Sequence, residues 1–544
     1  MKKKVLALLL AAALVVSAFA GCSNGGNSST SEGDTSGSST TESGDTGDTG
    51  DTGDTSGETV ALTAVLIRSS TDGEFPYPII TQLEEEAGVT IDWQVESQAD
   101  WPTHKSVLLA SGDIPDIFFG TDLEDGEVDD GLFIDWNSNG YLDMAPNIKE
   151  FLDSTPDAKS MATTASGQMY GIPNMIAFRP ESGDTLYVNK TWCDQLGIDI
   201  PTTTDEFYDM LIRFRDEDPN GNGQKDEIGI TGVGAPPSDP TLGAGTLAWA
   251  FPAFGVVMNE SDTYCMVVDG APQFQPVTDN YRAAVEWLNK LWSENLIDHE
   301  YFSLDFATQA AKFRGETLIM GTGSGWTMSN NVGDNIEHYE LIAPLTGPNG
   351  DQYWNSSAWF YKLYPNRLCI STKCENIEKA IEFVNLCYDQ YNGFQLTYGS
   401  EGVSVEKDAD GNPAFLDVPE GYTDPEYKFL TGLDTYAPTW ASDDFVATIG
   451  GENDAKEKYN NDVYYSEWFL PESRMPYIVY DSVTMDELTI LKTDINTYVQ
   501  QSVADFIMNG VTDDKWNAYK DQLNKMGLER LVEIYTEGYN STQG

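Results

Sequence analysis

Positive charge is scarce in this chain. Of 544 residues, 30 are Lys or Arg and 88 are Asp or Glu, a formal net charge of -58. Binding to a phosphate backbone needs Lys and Arg, so this balance argues against a nucleic-acid partner and fits a solvated acidic surface. Histidine is scarcer: His104, His299 and His338 are the whole set, and none sits in a His-Glu-x-x-His pattern. No Gly-x-Ser-x-Gly elbow occurs after residue 58, and the run Gly321 to Trp326 lacks the Gly-Lys-Ser/Thr of a phosphate loop. Cysteine appears at 22, 193, 265, 369, 374 and 387, with no Cys-x-x-Cys and no zinc spacing. With Cys22 set aside an odd number remains, and Cys387 falls on an apolar helical face, where a buried thiol acts as a small hydrophobe. No apolar run beyond the N-terminus is long enough to cross a bilayer. Carboxylates are so numerous that no glycosidase pair stands out from them.

The N-terminus has what the rest lacks. Lys2, Lys3 and Lys4 precede an apolar stretch over 5–16, followed by Phe19-Ala20-Gly21-Cys22. This is a secretory signal whose apolar core is too short to span a membrane. Small residues before a cysteine resemble a bacterial lipobox, with Phe19 where Leu is usual. The resemblance implies cleavage before Cys22 and a lipid on that residue; the alternative is an ordinary signal peptide with an incidental cysteine. Residues 23–58 are Ser, Thr, Gly and Asp with almost nothing apolar, and Gly-Asp-Thr repeats over 44–55. Such a segment cannot bury a core. As a flexible tether it reaches on the order of 35 Å.

Roughly 485 of the 544 residues remain, enough for two or three domains. The body opens as strand 61–67, helix 77–87 closed by Gly88, strand 89–95, helix 101–110 and strand 116–119. Strands alternating with helices imply βαβ units and a mostly parallel sheet. Ligands of such sheets sit beyond the carboxyl ends of the strands, here the loops 68–72 and 120–122. Thr484 to Glu487 reads as a capping box, followed by Leu488, Leu491, Ile495, Val499, Val503 and Phe506 at helical spacing. Gly510 ends that helix, and further amphipathic segments follow around Trp516 to Met526 and over 531–535.

The run Ala110-Ser111-Gly112-Asp113-Ile114-Pro115-Asp116-Ile117 resembles a signature of extracellular solute-binding protein family 1, the ligand-capturing lipoproteins of ABC importers. Further matches follow in order: Gly167 to Pro173, Leu186 to Lys190, Pro201 to Phe207, Tyr281 to Ile297, Phe313 to Glu316, Tyr398 to Val403, and the helical ending from Trp516. Within the first signature, Asp113 and Asp116 read as turn and cap residues. The resemblance spans about 62–539. It implies an α/β, two-lobed periplasmic-binding-protein-like fold of type II, with a hinge crossed several times. The expected organisation is signal peptide 1–21, lipidated Cys22 and linker 22–58, first lobe 59–178, second lobe 179–355, return to the first lobe 356–402, and a C-terminal helical region 403–544 mostly on the second lobe.

One motif looks metal-like. Asp218, Asn220 and Asn222 place oxygen groups at alternate positions, Gly223 follows, and Asp226 and Glu227 close the set. Hard oxygen ligands at this spacing suit Ca²⁺. There is no Glu at the twelfth position, so this is no EF-hand switch; the bland reading is an Asn-Gly turn. The loop is similar to the calcium loop of some oligosaccharide-binding members of the family. That match implies side-chain ligands Asp218, Asn220, Asn222, Asp226 and Glu227, the main-chain carbonyl of Gln224, and a structural role. Asp408 to Asn412 looks similar but lacks closing carboxylates and reads as an Asx turn.

A sugar site needs aromatic platforms and hydrogen-bonding side chains. Among 13 tryptophans, Trp287, Trp292 and Trp516 lie at helical spacing and are assigned to core. Trp326, after a strand over 317–320 and a Gly-rich loop, is the first-choice platform. Trp101, Trp249, Trp359 and Trp440 near element ends are further candidates, and Tyr170 either supports the hinge or touches ligand. In the family architecture Arg68, Asp122 and Glu401 lie on loops facing the cleft. The resemblance implies a non-enzymatic, monomeric protein. It would be held on the outer face of the cell membrane of a Gram-positive bacterium by its N-terminal lipid alone. There it captures an oligosaccharide for ABC permease subunits. Alternatives are a peptide or other polar solute as ligand, or a surface-anchored glycoside-active enzyme.

Overall fold

The computed structural model describes residues 59–70, 72–128, 131–164, 166–233, 245–257, 263–356 and 363–543. Cys22, its linker and Trp359 lie outside these residues.

The first sheet grows from the N-terminal βαβ unit. Strand β1 (Val60–Arg68) is rich in β-branched and aliphatic residues and pairs in parallel with β2 (Val89–Ser97), Val60 opposite Val89 and Arg68 opposite Ser97. The crossover helix Pro78–Ala87 buries Ile79, Ile80, Leu83 and Ala87. It ends at Gly88, at φ 66°, whose N–H returns to the Glu84 and Glu85 carbonyls. Strand β3 (Ile117–Phe119) lies parallel on the other side of β1. The sheet is completed by β4 (Ile172–Met175) and by β11 (Leu363–Ile370), in the order β2-β1-β3-β11-β4. Because β11 runs antiparallel to both neighbours, this sheet is mixed rather than parallel throughout. The early helices match the predicted ones closely, and Asp116 ties strands together: its Oδ2 accepts from the Thr63 N–H at 2.8 Å.

The second sheet is built from β5 (Thr185–Asn189), β6 (Ile228–Thr231), β9 (Met320–Gly325) and β10 (Tyr339–Leu341), in the order β10-β5-β9-β6. Here the sequence reading needs correction. The glycine run before Trp326 is strand β9 itself, not a loop after a strand over 317–320. A Cβ at Gly321 would meet Phe214 at 2.6 Å, and one at Gly323 would meet Phe313 and Tyr187 at 2.5 Å. The glycines let these rings pack on the strand. Two short hairpins complete the strands, β7 (Cys265–Val268) with β8 (Ala271–Phe274) and β12 (Val405–Lys407) with β13 (Pro413–Phe415).

Each sheet has its own core. Leu62, Leu66, Ile117, Phe151, Phe383 and Trp440 belong to the first, and Phe207, Phe214, Leu288, Ile495, Val503 and Tyr519 to the second. The C-terminal helices Ser482–Asn509, Asp513–Lys525 and Leu528–Ser541 feed the second core. The long one is capped by Asp481, which accepts from the Val483 and Thr484 N–H groups, and not by the predicted box at Thr484. Asp481 offers two acceptors one turn earlier, so the helix starts there. The chain leaves the first body after β4, and the helix Asp454–Tyr465 touches both bodies, Tyr459 meeting Phe178 and Tyr465 joining the second core. Cys193, Cys265, Cys369, Cys374 and Cys387 are all buried and free. Among the described residues no helix is long and apolar enough to cross a membrane.

Candidate ligand-binding cleft

The carboxyl ends of β3 and of the parallel pair β6 and β9 come first, because βα architectures present ligand groups there. Trp326 directly follows β9 and is 39% exposed, so its ring is available at the surface. The Arg179 guanidinium, just beyond β4, lies 5.6 Å from the Trp326 ring and 5.6 Å from the Tyr364 ring on β11. Arg367 continues the line, 4.5 Å from Tyr364 and 4.8 Å from Tyr436. An aromatic–cation ladder thus connects the second sheet to the first across the chain crossing. Lys458, on the helix Asp454–Tyr465, places its Nζ 5.0 Å from the centroid of the Trp326 ring.

The ladder has a structural cause. Between Tyr364 and Leu368 the register of β11 against β4 shifts, four residues spanning the length of two. Asn366 sits in the bulge at φ 50°, a conformation Asn tolerates better than most residues. Such bulges re-aim side chains. Arg367 is buried, donates to the Thr121 carbonyl at 3.0 Å, and has an Nε with no hydrogen-bond partner. Its burial disfavours the charged form, an effect opposed by Asp122, whose carboxylate is 3.7 Å away. Asp122 itself is exposed, so the floor offers one carboxylate, guanidinium groups and ring faces. Gly120, at φ 64°, makes room for this corner: a Cβ there would meet the Tyr436 carbonyl at 2.0 Å.

The predicted site residues divide accordingly. Trp326 and Asp122 belong to this junction. Trp101, Trp249 and Trp440 do not present platforms: all three are at most 4% exposed. Trp101 packs with Phe118, Trp249 with Phe207 and Trp287, and Trp440 stacks on Phe151 and donates to the Tyr388 carbonyl. Being near an element end does not expose a ring when the neighbouring layer is aromatic. Tyr170 packs on the cluster of Val65, Ile67 and Trp101. Arg68 is buried beside Phe75 and Tyr77. Exposed Glu401 accepts from the Tyr391 hydroxyl at 3.1 Å. Arg179, Tyr364, Arg367, Tyr436 and Lys458 were not anticipated. The available signal was the rarity of basic residues, two of which, Arg179 and Arg367, lie just beyond β4 and beside the bulge. A separate cavity of about 810 Å³ has walls from Arg314, Asn330 and Asp334 on one side and Asp417, Asp424 and Asp454 on the other, with no aromatic ring.

The loop 218–227 sits at the amino end of β6, at the opposite end of the parallel pair β6 and β9 from Trp326. Asp218 is at φ 49°, and Gly221 and Gly223 are also left-handed. Asn220 and Asn222 donate their amides to Asp226, the Gly223 N–H donates to Asp218 Oδ2, and the Gln224 N–H donates to Asn222 Oδ1. Asp218 Oδ1 and Glu227 Oε1 are buried with no hydrogen-bond partner. Burial raises the Glu227 pKa, and the carboxylates of Asp226 and Asp218 raise it further. Among the described residues no three His, Cys, Asp or Glu converge as a ready metal shell; amide N–H groups stand against the carboxylates instead. Asp408 forms the predicted Asx turn, its Oδ1 accepting from the Asp410 and Asn412 N–H groups.

No family model matches the chain. It is 26% identical over 488 residues to the Streptococcus pneumoniae fructooligosaccharide ABC transporter substrate-binding protein FusA, covering 86% of this chain and 87% of that one. It also resembles the structure of an HMO-binding ABC-transporter-associated solute-binding protein from Bifidobacterium longum infantis. That match has 26% identity and a TM-score of 0.79, over 88% of this chain and 98% of the other. A FusA EF-hand mutant in complex with fructo-nystose superposes with a TM-score of 0.74 at 25% identity, over 89% and 99% of the two chains. The resemblance read from the sequence therefore holds: the homologues of this chain are ABC-transporter oligosaccharide-binding substrate-binding proteins.

Proposed function

We propose that this chain is a cell-surface lipoprotein that captures an oligosaccharide between its two lobes and delivers it to an ABC import permease. The observation that carries this reading is the half-exposed Trp326 facing the Arg179–Tyr364–Arg367 ladder across the lobe crossing. A sugar ring offers C–H groups to the aromatic face and hydroxyls to Asp122 and the guanidinium groups. Ligand contacts both sheets only when they approach, so binding shifts the population toward a closed form that the permease reads. The protein acts as a monomer and binds without covalent chemistry. Cys22, lipid-modified, is its only membrane attachment, and residues 23–58 are the tether.

The loop 218–227 holds Ca²⁺ in a structural role. Two orphaned carboxylate oxygens, mutual repulsion at Glu227 and an all-oxygen donor set fit a hard cation. The Asn220 and Asn222 amides would turn their oxygens inward in place of their N–H groups. Asp218, Asn220, Asn222, Asp226, Glu227 and the Gln224 carbonyl are the ligand set.

A thermal-shift panel of neutral oligosaccharides and short peptides tests the main reading, since a ligand raises the melting temperature by mass action. Stabilisation by one oligosaccharide series is the expected result. Stabilisation by peptides alone would refute it, and release of reducing ends from the bound sugar would establish an enzyme instead.

A further inference from the structure

A second opening lies on the first sheet, outside the aromatic–cation ladder. Its volume is about 560 Å³, and Arg68, Phe75, Ile91, Trp93 and Val95 line it. Ile91, Trp93 and Val95 are alternate residues of β2 and share one face of that strand. β2 is the outer strand of its sheet, so Trp93 and Val95 stay partly exposed. Phe75 meets Trp93 edge to face at 5.8 Å, and the Trp93 indole N–H is held by Glu84 at 2.7 Å. The walls are therefore two fixed rings and two aliphatic side chains.

One polar group is left over. Arg68 is 2% exposed, with its guanidinium over Phe75 and Tyr77. Nη2 donates to the Asp72 carbonyl at 2.7 Å, while Nε has no partner. A buried N–H without an acceptor is expensive to keep, and here it belongs to the wall of a roomy, ring-lined pocket.

The pocket also shares a lip with the cleft. Residues 430–436 run from one to the other. The Leu430 carbonyl closes on Gly73, the Gly432 carbonyl accepts from the Tyr77 hydroxyl, and the Tyr436 ring lies against Arg367. Strands stand about 4.8 Å apart, so the step from β11 to β1 and β2 is roughly 10–15 Å; the ladder from Trp326 to Arg367 adds up to about 16 Å, so only the longer members of an oligosaccharide series would reach from Trp326 to this pocket.

We infer that this pocket is an outer subsite for a neutral sugar unit at the far end of the oligosaccharide held at Trp326. The C–H face of the unit lies on Trp93 and Phe75, and one of its oxygens accepts from Arg68. This inference rests on the proposed function, and its test separates the two. Calorimetry is run with ladders of linear neutral fructans, glucans and mannans of two to eight units. It uses the wild-type chain and two variants, Val95→Trp, which fills the pocket from a half-exposed position, and Phe75→Ala, which removes a wall. The wild type should bind the longest members about tenfold more tightly than the shortest, at one ligand per chain. Both variants should abolish that gain and leave the shortest members unchanged. An equal length dependence in wild type and variants, no length dependence in the wild type, or two ligands per chain would overturn the subsite while leaving the oligosaccharide reading intact. Failure of the wild type to bind any ladder would instead sink that reading, and the subsite with it.

Discussion

Asp125 holds Asn366 in its left-handed conformation. The Asn366 amide donates to Asp125 Oδ1 at 3.0 Å, and Asp125 Oδ2 accepts from the Tyr477 hydroxyl at the same distance. Together with the Leu123 carbonyl, which accepts from the same amide at 3.2 Å, this carboxylate fixes the bulge that aims Tyr364 and Arg367, and it anchors the bulge to a residue just before the long C-terminal helix. Replacing Asp125 by Ala should loosen the bulge, lowering stability by about 1–3 kcal/mol for the two hydrogen bonds to a carboxylate that are lost. Ligand affinity should fall although Asp125 lies beneath the ladder. Denaturant unfolding and calorimetry on one preparation read both; unchanged affinity would mean that the bulge does not position the ladder.

Trp326 is the complementary case. Its ring is exposed enough that Trp326→Ala should change stability by less than about 0.5–1 kcal/mol. Oligosaccharide affinity should fall by at least tenfold, as for aromatic anchors at other interfaces. A melting temperature close to wild type together with retained binding would remove Trp326 from the site.

Calcium and pH should act together at loop 218–227. Glu227 has a raised pKa, so its charged form is disfavoured in the metal-free fold. Without calcium, stability is reduced above that raised value and recovered as pH falls through it toward the ordinary carboxylate range. Calcium needs the deprotonated ligands. The gain in melting temperature from Ca²⁺ over EDTA should therefore be largest near neutral pH and shrink on acidification. At a hundredfold excess over Kd the gain corresponds to about 2.7 kcal/mol. A gain absent at neutral pH, or growing as pH falls, contradicts the metal assignment.

Tyr465 closes the crossing from the second-core side. Its hydroxyl accepts from the Leu186 N–H at 3.1 Å and donates to the Ile342 carbonyl at 2.9 Å, while its ring stacks on Trp354 at 4.2 Å and 6°. Tyr465→Phe keeps the stack and strands both backbone groups. A loss of about 1–3 kcal/mol in chemical denaturation is expected; an unchanged midpoint would show that the hydroxyl contributes nothing there.

The first βαβ unit and the C-terminal helices were legible because they are local: period, Gly88 and Gly112 as caps, and apolar spacing suffice to place them. Strand β9 was not, because its glycines are required by rings from Phe214, Tyr187 and Phe313, which reach it from elsewhere in the chain. The site was half legible. Trp326 follows from its place after a strand. Arg179, Tyr364 and Arg367 converge only through a register shift and a long return of the chain, which local pattern does not encode. The tryptophans near element ends misled for the same reason: what covers Trp249 is Phe207 and Trp287, and what covers Trp440 is Phe151, contacts set by tertiary packing.

The five cysteines of the body have one practical consequence. Burial pushes the Cys193 thiol up to about 12 and Cys374 to about 11, and raises Cys265, Cys369 and Cys387 as well. Thiolate is the reactive species, so none of these is open to an alkylating reagent at neutral pH while the fold holds. A recombinant chain that begins at an unmodified Cys22 would carry one addressable sulfur, at the end of its tether. A maleimide dye or a gold surface would then attach at that residue alone.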